Sequence, residues 1–389
     1  MKILYHHRIA SKDGQYVHIE ELTNALKQQG HEIIMVSPAT VEHHPFGSGS
    51  STVARMKQHI PSAVYELLEF GYSFFAFVKL IITAIKYKPN IIYERYNLFL
   101  PAGVWLSRLL NIPLLLEVNA PLFAERTKFN GIALPRLAKW SEDYTWRHAD
   151  RVLPVTQVLA DEIVARGVDK SRITVIPNGI NVHKFKYPPQ TSHAKRCLGL
   201  ENSLVLGFTG FVREWHGLDR VVDLLIDNHT NRHLLIVGDG PAKEAIMERA
   251  QRCGVANRVT ITGIIQRDQI PSYVAAFDIA LQPDVVDYAS PLKLFEYLAL
   301  GRAIVAPDKA NIREILTHEH NALLFEAGSH TAFQAAVEQL CLDTELRRKI
   351  STGAQESITA MRLTWDNNAE RVIKLAEALT LNTTVDNNS

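Results

Sequence analysis

Two ionisable residues stand three positions apart where a helix is predicted to begin. Ser290 can accept backbone N–H bonds as the N-cap of that helix, and Pro291 suits its first position. Backbone N–H groups at Leu292 and Lys293, the positive end of the helix dipole and the lysine charge together favour an anion. Glu296 lies on the same side of the helix as Lys293 and can hold a sugar hydroxyl. This combination suits a nucleotide diphosphate.

A second group of candidates lies in the loop from Gly210 to Gly217. Arg213 and His216 are two potential cations between a strand end and a helix start, where backbone N–H groups also point. A solvated loop with Trp215 packed on a neighbour would explain the same residues, but the anion site in the same half of the chain favours binding. The turn Gly238-Asp239-Gly240-Pro241 is a weaker signal because it lacks the third glycine of a dinucleotide fingerprint.

Polar residues also follow the strands predicted in the first half of the chain. Glu94 and Arg95 follow one strand, and Glu117 and Asn119 end the next. Taken singly, each is more often an ordinary loop residue. The carboxyl ends of parallel strands form one sheet edge, however, and open α/β sheets bind ligands there. Together with Gly14, in the loop after the first strand, these residues predict an acceptor-binding side.

These residues need a scaffold of alternating strands and helices. In the first half, strands are predicted at 2–5, 32–36, 91–93, 114–118, 151–155 and 173–176, with helices at 17–29 and 134–148. In the second half, strands are predicted at 204–208, 234–237, 259–262, 279–282 and 303–306, with helices between them. The helix that carries Lys293 is expected to bury Leu292, Phe295 and Ala299 and to end at Gly301. Repeated strand–helix–strand units imply parallel sheets.

The length of the chain predicts two domains. Its 389 residues exceed what one core usually supports, and the polar stretch 181–200 is the best candidate linker. We expect an N-terminal acceptor-binding Rossmann-like domain over residues 1–185 and a C-terminal donor-binding one over 186–360. A helix within 361–389 is expected to return to the first domain before a disordered tail from residue 382. Residues 40–60 are expected to form an exposed loop.

The composition excludes several classes of protein. A net charge of +1 argues against a nucleic-acid binder. Cys197, Cys253 and Cys341 are too far apart to indicate a disulfide framework or a zinc site. Because no His, Asp and Glu residues stand at metal-ligand spacing, we expect a site without a metal or a covalent cofactor. The first residues are too polar for a signal peptide, so a cytoplasmic location is expected.

The segment from Phe70 to Ile85 raises the question of a membrane. It is apolar for sixteen residues apart from Lys79, which is less than the roughly 20 residues needed to span a bilayer. A mostly buried helix is the favoured interpretation. The alternative is an aromatic-rich helix at a membrane surface, with a peripheral contact through residues 70–88 and its lysines towards the headgroups.

Four runs of sequence point to a known family. They are LLIVGDGP at 234–241, RVTITG at 258–263, FDIALQP at 277–283 and SPLKLFEY at 290–297. In these runs the chain resembles the retaining, nucleotide-sugar-dependent glycosyltransferases of family 4. The resemblance covers nearly the whole chain. It implies an α/β protein of the GT-B fold, with two doubly wound Rossmann-like domains facing each other across a cleft.

The resemblance also implies roles for particular residues. Glu296 corresponds to the second glutamate of the E-x7-E motif of the family and would hold the nucleotide ribose. Lys293 and the backbone at Pro291 and Leu292 would face the diphosphate and the donor sugar. The turn Gly263-Ile264-Ile265 corresponds to the place where the base sits. Gly210 and Gly238 end the two strands that flank this site.

Several positions depart from the pattern of the family. Tyr288 stands where the first glutamate is expected, and Asp287 is the nearest carboxylate. Phe211 stands in place of the usual diphosphate arginine and His216 in place of the lysine, so Arg213 is expected to supply the missing charge. These departures bear on the contacts with the sugar more than on the class of reaction.

The implied reaction is transfer of a sugar from a UDP or GDP sugar to an acceptor hydroxyl with retention of configuration. The acceptor would enter near Glu117 and Asn119, the latter in the place of a histidine often found in the family, and Arg213 and Lys293 would stabilise the leaving diphosphate. The acceptor is expected to be a glycan or a lipid-linked molecule in bacterial polysaccharide or glycolipid assembly. The alternatives are a catalytically degenerate sugar-nucleotide-binding or scaffold protein and a nucleotide-sugar epimerase.

Overall fold

The computed structural model describes residues 1–9, 14–38, 60–129, 131–226 and 231–386. The chain divides into two units. Met1–Pro177 and Trp365–Ser389 form the N-terminal unit, and Asn178–Thr364 form the C-terminal unit. The loop expected over residues 40–60 lies almost wholly outside the described residues.

The N-terminal unit is built on a parallel sheet of strand order β2-β1-β3-β4-β5. Its strands are β1 Lys2–His6, β2 Glu32–Val36, β3 Ile91–Arg95, β4 Leu114–Val118 and β5 Arg151–Pro154. Its helices before the C-terminal unit are α1 Gly14–Gln28, α2 Ser62–Tyr87, α3 Ala102–Leu110, α4 Leu122–Phe129, α5 Pro135–His148 and α6 Gln157–Ala165. Strands β3 and β4 are buried at every residue, because helices cover both faces of a parallel sheet.

The C-terminal unit has a second parallel sheet, of order β11-β10-β9-β6-β7-β8. Its strands are β6 Leu204–Thr209, β7 Arg232–Val237, β8 Val259–Ile261, β9 Ile279–Leu281, β10 Ala303–Asp308 and β11 Leu323–Glu326. Its helices are α7 Val182–Phe185, α8 Thr191–Cys197, α9 Asp219–Asp223, α10 Lys243–Arg252, α11 Ile270–Val274, α12 Leu292–Ala299, α13 Ala310–Arg313, α14 His330–Leu342 and α15 Thr344–Ala360. The chain then re-enters the N-terminal unit as α16 Trp365–Asp386.

In each sheet, successive strands are added first towards one edge and then towards the other. The point where this order changes marks where a ligand can bind. In the N-terminal unit the reversal falls between β1 and β3, and in the C-terminal unit between β6 and β9. The loops that leave these neighbouring strands run to opposite faces of the sheet, which opens a crevice at their carboxyl ends. Each doubly wound unit therefore has one such position.

Alternating side chains explain why each sheet is covered on both faces. In the C-terminal unit, Leu206 and Ile236 belong to one buried apolar cluster, while their neighbours Val205 and Leu235 belong to another on the opposite face. The approach of the covering segments is close. A Cβ on Gly207 would stand 2.0 Å from the ring of Phe277, so only glycine fits in β6 at this position.

Most predicted strands are confirmed. The strands at 32–36 and 114–118 have the predicted ends, and the other confirmed strands differ by one or two residues. The strand predicted at 173–176 is wrong, because only Ile173 forms a bridge, with Val152 of β5. Pro154 has no N–H to continue a ladder, which limits pairing along this edge of the sheet. Strand β11 was not predicted.

The division between the units falls earlier than the predicted boundary after residue 185. The side chain of Asn178 donates to the carbonyl of Ser290, and the N–H of Ile180 donates to the carbonyl of Leu363. These bonds hold the residues after Pro177 to the C-terminal unit. The expected linker at 181–200 contains α7 and α8 and belongs to that unit.

Helix α16 lies in the unit to which the sequence assigned it. The side chain of Gln29, after α1, donates to the carbonyl of Asp366, and the side chain of Asn368 donates to the carbonyl of Pro177. The helix extends to Asp386, where a disordered tail from residue 382 was expected. Once its first turns are docked, each further residue needs little to continue a helix. Residues 387–389 lie outside the described residues.

Helix α2 contradicts the expectation of a mostly buried helix at 70–85. It has 26 residues, and only 28% of its most apolar window is buried. Among the described residues it is the one helix long and apolar enough to cross a membrane by length and composition. The prediction failed because the polar side of the helix, which carries Glu66 and Glu69, faces the protein.

Candidate active site

Helix α12 begins one residue later than predicted. Pro291 has an extended backbone (φ −70°, ψ 118°) and takes the cap position, so the helix starts at Leu292 without a side-chain cap. The hydroxyl of Ser290 instead accepts a bond of 3.3 Å from the backbone N–H of Asn178. The predicted cap at Ser290 and first helical residue at Pro291 are therefore each wrong by one position.

The buried side of α12 also differs from the prediction. Of the three residues expected to be buried, only Phe295 is. The buried residues are Leu294, Phe295, Tyr297 and Leu298. Leu292 and Ala299 stay partly exposed because they lie at the two ends of a two-turn helix. Gly301 has φ +58° and ends the helix as predicted. This rotation places the two ionisable residues of the helix at the margin of the core.

Lys293 reaches from α12 to the end of β6. Its Nζ lies 3.6 Å from the centroid of the Phe208 ring, and the end of its side chain is 3.5 Å from where a Cβ would stand on Gly210. Burial lowers the pKa of Lys293 from 10.5 to about 7, against the opposing charge of Glu296. An anion bound beside this lysine would raise its pKa again.

Glu296 lies one turn further along the helix and is also poorly solvated. Burial raises its pKa from 4.5 to about 7, although the charges of Arg267 and Lys293 oppose the shift. The Thr209 hydroxyl donates a long bond of 3.4 Å to Glu296 Oε2. The backbone N–H of Thr209 donates to the hydroxyl of Tyr297 at 2.9 Å, which fixes α12 to the end of β6. The carboxyl group is thus held at the crevice between β6 and β9.

The loop from Gly210 to Gly217 presents one cation rather than the two predicted. The exposed guanidinium of Arg213 lies over two aromatic rings, 5.0 Å from the centroid of Phe211 and 4.7 Å from that of Trp215. His216 is neutral, because burial and the charges of Lys293 and Arg213 lower its pKa to about 3. Its Nδ1 accepts the backbone N–H of Arg213 at 3.1 Å, so the ring proton lies on Nε2.

Two glycines bring the ends of β6 and β7 together. Gly210 has φ +120° and Gly238 has φ +150°, and a Cβ on Gly238 would stand 2.0 Å from the carbonyl oxygen of Gly210. The N–H of Gly238 donates to the hydroxyl of Thr262, just beyond β8. These contacts explain the glycines of the turn at 238–240 as a close backbone approach.

The loop at 284–290, which precedes α12, is held from β10 and α13. The Nζ of Lys309 donates to the carboxylates of Asp284 at 3.0 Å and Asp287 at 3.1 Å. Burial alone would lower the pKa of this lysine, but its bonds to the two carboxylates outweigh burial and raise the pKa. The side chain of Asn311 donates to the carbonyls of Val286 and Ala289. Asp287 is thus paired with Lys309, while Tyr288 is partly buried in the same loop.

The turn after β8 is partly open to solvent. Gly263 has φ +71°, and nothing lies within 4 Å of a Cβ built on it. Ile264 is 56% exposed, whereas Ile265 packs against the core. An exposed isoleucine next to an unobstructed glycine offers a flat apolar surface for a planar group.

The N-terminal unit brings the predicted acceptor-side residues into one buried network. Glu117 binds His18 at 2.9 Å, the hydroxyl of Tyr93 at 2.8 Å, the side chain of Asn119 at 2.5 Å and the guanidinium of Arg95. Burial alone would raise the pKa of Glu117, but His18 and Arg95 outweigh it and hold the pKa well below its ordinary value. Glu117 is therefore an ionised, fully paired group.

Glu94 has a different environment at the reversal point of this sheet. Its Oε2 lies 2.5 Å from Nδ1 of His6, and its Oε1 accepts no hydrogen bond from any described residue. The carboxylate lies against Gly103 in the first turn of α3, where a Cβ would stand 2.3 Å from Oε2. A negative charge is favoured at that end of a helix. Gly14 is exposed at the first position of α1.

The predicted residues thus form two groups, one at the carboxyl edge of each sheet. In the C-terminal unit, a lysine, a helix start and a carboxyl group surround the crevice between β6 and β9. Such an arrangement can bind a diphosphate and a hydroxyl. In 1–9, 14–38, 60–129, 131–226 and 231–386, no three His, Cys, Asp or Glu side chains are grouped to hold a metal.

Sequence reasoning missed several residues of both groups. Thr209 is the last residue of β6 and Lys309 directly follows β10, so the strand-end rule could have found them. His18 and Tyr93 could not have been found in this way, because His18 lies inside α1 and Tyr93 inside β3. Only the folded chain brings these two residues to Glu117.

Two family comparisons cover most of the chain. Residues 12–184 match the family described as Glycosyltransferase Family 4, and residues 194–357 match Glycosyl transferases group 1. The chain belongs to glycosyltransferase family 4. The resemblance predicted from the sequence is confirmed.

Individual relatives are distant. The alpha-D-kanosaminyltransferase of Streptomyces kanamyceticus is 23% identical over 266 residues, which is 64% of this chain and 66% of that protein. The chain thus spans just under two thirds of that relative. The D-inositol 3-phosphate glycosyltransferase of Xylanimonas cellulosilytica is 22% identical over 92% of this chain and 90% of its own length.

Solved structures share the fold. The Anabaena protein HepE, crystallised in complex with UDP, has a TM-score of 0.75 at 18% identity, over 97% of this chain and all of that one. The predicted GT-B fold, with two Rossmann-like domains, is confirmed.

Proposed function

We propose that this chain is a glycosyltransferase that moves a sugar from a nucleotide diphosphate sugar to an acceptor hydroxyl with retention of configuration. One observation carries the proposal. Lys293, the start of α12 and Glu296 lie together where the strand order of the C-terminal sheet reverses, with Thr209 bound to the carboxyl group. The family of the chain supports the same class of reaction.

The donor would bind the C-terminal unit. Lys293, Arg213 and the backbone N–H groups at the start of α12 would meet the diphosphate, because each presents positive charge. Glu296 would accept hydrogen bonds from the ribose hydroxyls, and the base would lie on the turn at 263–265. His216, being neutral, would contribute its Nε2–H as a hydrogen-bond donor rather than a charge. Asp287 and Tyr288 would border the sugar.

The chemical step follows from this placement. The bond between the anomeric carbon and the diphosphate oxygen breaks, and a bond from the acceptor oxygen forms on the same face. The acceptor proton passes to the leaving diphosphate, so no protein base is required. Lys293 and Arg213 stabilise the negative charge that develops on the diphosphate. Because these groups neutralise the charge, we propose that no metal or organic cofactor is needed, which activity after treatment with EDTA would test.

The acceptor would bind the N-terminal unit, near the end of β4. Asn119 is held by its bond to Glu117, so its amide can orient an acceptor hydroxyl. Glu117 and Arg95 act here as positioning residues, because each is buried and paired with the other. Glu94 and Gly14 would border the acceptor. We propose a glycan or a lipid-linked acceptor in polysaccharide or glycolipid assembly.

The nucleotide is UDP or GDP in this proposal. HepE, which shares the fold, was crystallised with UDP, and another relative is titled a GDP-mannose-dependent mannosyltransferase. We further propose a cytoplasmic location with a peripheral membrane contact through residues 70–88. The near-zero net charge supports the absence of a nucleic-acid partner.

A second function is a sugar-nucleotide-binding protein without turnover. It is favoured by Tyr288 in place of the expected carboxylate and by the pairing of Asp287 with Lys309. An epimerase is less well supported, because the sequence does not clearly place additional carboxylates or histidines around the sugar.

Donor hydrolysis without acceptor separates the transferase from the binding protein, because a binding protein would leave the donor intact.

The first experiment is thermal unfolding of the full chain with UDP, GDP and ADP. A ligand at a hundred times its Kd stabilises the folded state by roughly 2.7 kcal/mol. We expect stabilisation by UDP or GDP that is smaller at the same nucleotide concentration in Glu296→Gln and unchanged in Lys349→Met, a change of an exposed lysine on α15. A transfer assay with NMR of the anomeric proton then tests retention. Equal stability with and without every nucleotide would contradict the donor site.

A further inference from the structure

Helix α2 is turned with its polar side towards the protein. Its buried residues are Glu66, Glu69, Ser73, Ala76, Leu80 and Ala84. Its opposite side carries eight apolar residues, each at least 46% exposed: Val64, Leu67, Leu68, Phe74, Phe75, Val78, Ile82 and Ile85. This is the reverse of the amphipathic arrangement of a helix that packs on a core in water.

The polar contacts of α2 fix this orientation. Glu66 accepts the N–H groups at the start of α5, from Ala133 at 2.8 Å and Leu134 at 2.7 Å. Glu69 accepts two hydrogen bonds from the guanidinium of Arg126, at 2.7 and 3.1 Å. The hydroxyl of Ser73 donates to the carbonyl of Phe99. Rolling the helix to bury its apolar side would break all of these contacts. Leaving the unit to span a bilayer would break the same contacts.

Aromatic residues of two neighbouring helices extend this apolar side. Phe74 lies 5.2 Å from Trp105 of α3, and Phe70 lies 6.0 Å from Trp140 of α5, measured between ring centroids. Trp140 is 46% exposed, and Leu109, one turn after Trp105, is 59% exposed. We call the exposed side of α2 together with Leu109 and Trp140 the α2 surface. Tryptophan at the margin of an apolar surface is typical of the region between lipid headgroups and acyl chains.

The exposed charges of α2 itself are positive. Both acids of α2 are buried, whereas Lys79 and Lys86 are exposed on the helix and Lys88 follows it. Arg108 is exposed beside Leu109 on α3. An apolar surface bordered by cations fits a bilayer that contains anionic lipids better than it fits a second copy of itself, because two copies would bring like charges together.

We propose that the α2 surface lies on the face of an anionic bilayer, with α2 parallel to the membrane plane. Its aromatic and aliphatic residues enter the headgroup region, and the lysines contact lipid phosphates. The α2 surface would thus make the membrane contact proposed for residues 70–88, and its lipid partners would be anionic. This contact does not rest on sugar transfer, because lipid binding is measured without donor or acceptor.

The test is co-sedimentation of the full chain with vesicles of phosphatidylcholine alone or mixed with phosphatidylglycerol. We expect binding to the mixed vesicles at least tenfold tighter than to the neutral ones. Phe75→Gln/Ile82→Gln should reduce that binding at least tenfold with an unchanged melting temperature. Lys79→Gln/Lys86→Gln should reduce it for mixed vesicles only. Leu342→Gln, which changes a residue of the C-terminal unit that is at least as exposed, is the control.

Three results would overturn the proposal. The first is equal binding to both kinds of vesicle, and the second is full binding by Phe75→Gln/Ile82→Gln. The third is a concentration-dependent dimer that this double variant abolishes, together with no binding to vesicles, which would assign the surface to a second copy of the chain. Nucleotide binding by the same preparations reports on the donor site separately.

Discussion

If the donor binds beside Lys293 as proposed, the pKa of this lysine should make its binding depend on pH in a defined way. At pH 7 about half of the empty sites carry a protonated lysine, since burial lowers its pKa to about 7. A bound diphosphate favours the protonated form, so binding should take up about half a proton at pH 7 and about 0.9 at pH 8. The affinity for the nucleotide should then fall about fivefold between pH 7 and pH 8 and about tenfold for each further pH unit.

Replacement by Met tests this reasoning directly. Lys293→Met keeps the length and the contact with Phe208 but removes the charge. We expect its nucleotide affinity to be weaker at pH 7 and nearly constant above it, and its kcat/KM to fall about 100-fold or more, as for loss of one charge-stabilising donor. Calorimetry in two buffers of different ionisation enthalpy measures the proton uptake, which the variant should lack.

The stability of the variant provides a control for folding. A lysine whose pKa is lowered in the folded state binds fewer protons there than in the unfolded chain between pH 7 and its ordinary pKa. The wild type should therefore gain stability as the pH rises through that range, and Lys293→Met should not. Because the side chain is partly exposed, we expect the variant to be more stable by only about 1–2 kcal/mol at pH 7.

Glu296 could obscure the result, because its pKa is also raised to about 7. If binding ionises this carboxyl group, the proton that it releases would cancel part of the uptake by Lys293. Glu296→Gln removes that contribution, so the uptake measured in this variant belongs to the lysine. Wild-type affinity that is constant from below to well above pH 7, or a pH dependence that survives in Lys293→Met, would refute the assignment.

Three further predictions concern stability and loop position. Glu117→Gln should lower the free energy of unfolding, measured in urea, by about 3–5 kcal/mol, because it leaves the buried Arg95 without its charge partner. The wild type should lose this stabilisation as the pH falls below the ordinary pKa of a glutamate. An unchanged urea midpoint in the variant would contradict the network. Gly238→Ala should cost about 2 kcal/mol or more, because its Cβ meets a carbonyl oxygen at φ +150°, whereas Gly71→Ala, with open space in α2, should gain about 0.5–1 kcal/mol. Lys309→Met should raise KM for the donor several-fold by releasing the loop at 284–290, with little change in melting temperature; an unchanged KM would show that the loop does not need this anchor.

The sequence predicted local features of the fold better than distant ones. Apolar runs and glycines located most strands within two residues, because a buried parallel strand is a continuous apolar segment bounded by turns. They could not give the two strand orders, which depend on contacts between residues far apart in the chain. Pro154 shows the limit on a smaller scale: the apolar run at 173–176 was correct as a pattern, but a proline on the neighbouring strand restricts its pairing.

The site was predicted in part for the same reason. Lys293 and Glu296 were found because helix spacing alone places them on one side. The neutrality of His216 could not be predicted, since it depends on burial and on the approach of Lys293 from another element. The apolar composition of residues 70–85 indicated a helix, but it could not say which side of α2 faces the protein.

The two units use their charges in opposite ways. In the N-terminal unit, Glu117 is satisfied by four neighbours, so its charge stabilises the scaffold and is not available to a substrate. In the C-terminal unit, Lys293 and Glu296 are desolvated and incompletely compensated, and burial shifts both pKa values towards neutrality. A site in this state is less stable empty than a paired one would be, and a ligand that brings phosphates and hydroxyls supplies what is missing. In the proposed function, the donor would therefore gain binding free energy by compensating Lys293 and Glu296, while exposed residues of the N-terminal unit, rather than its buried acids, would select the acceptor.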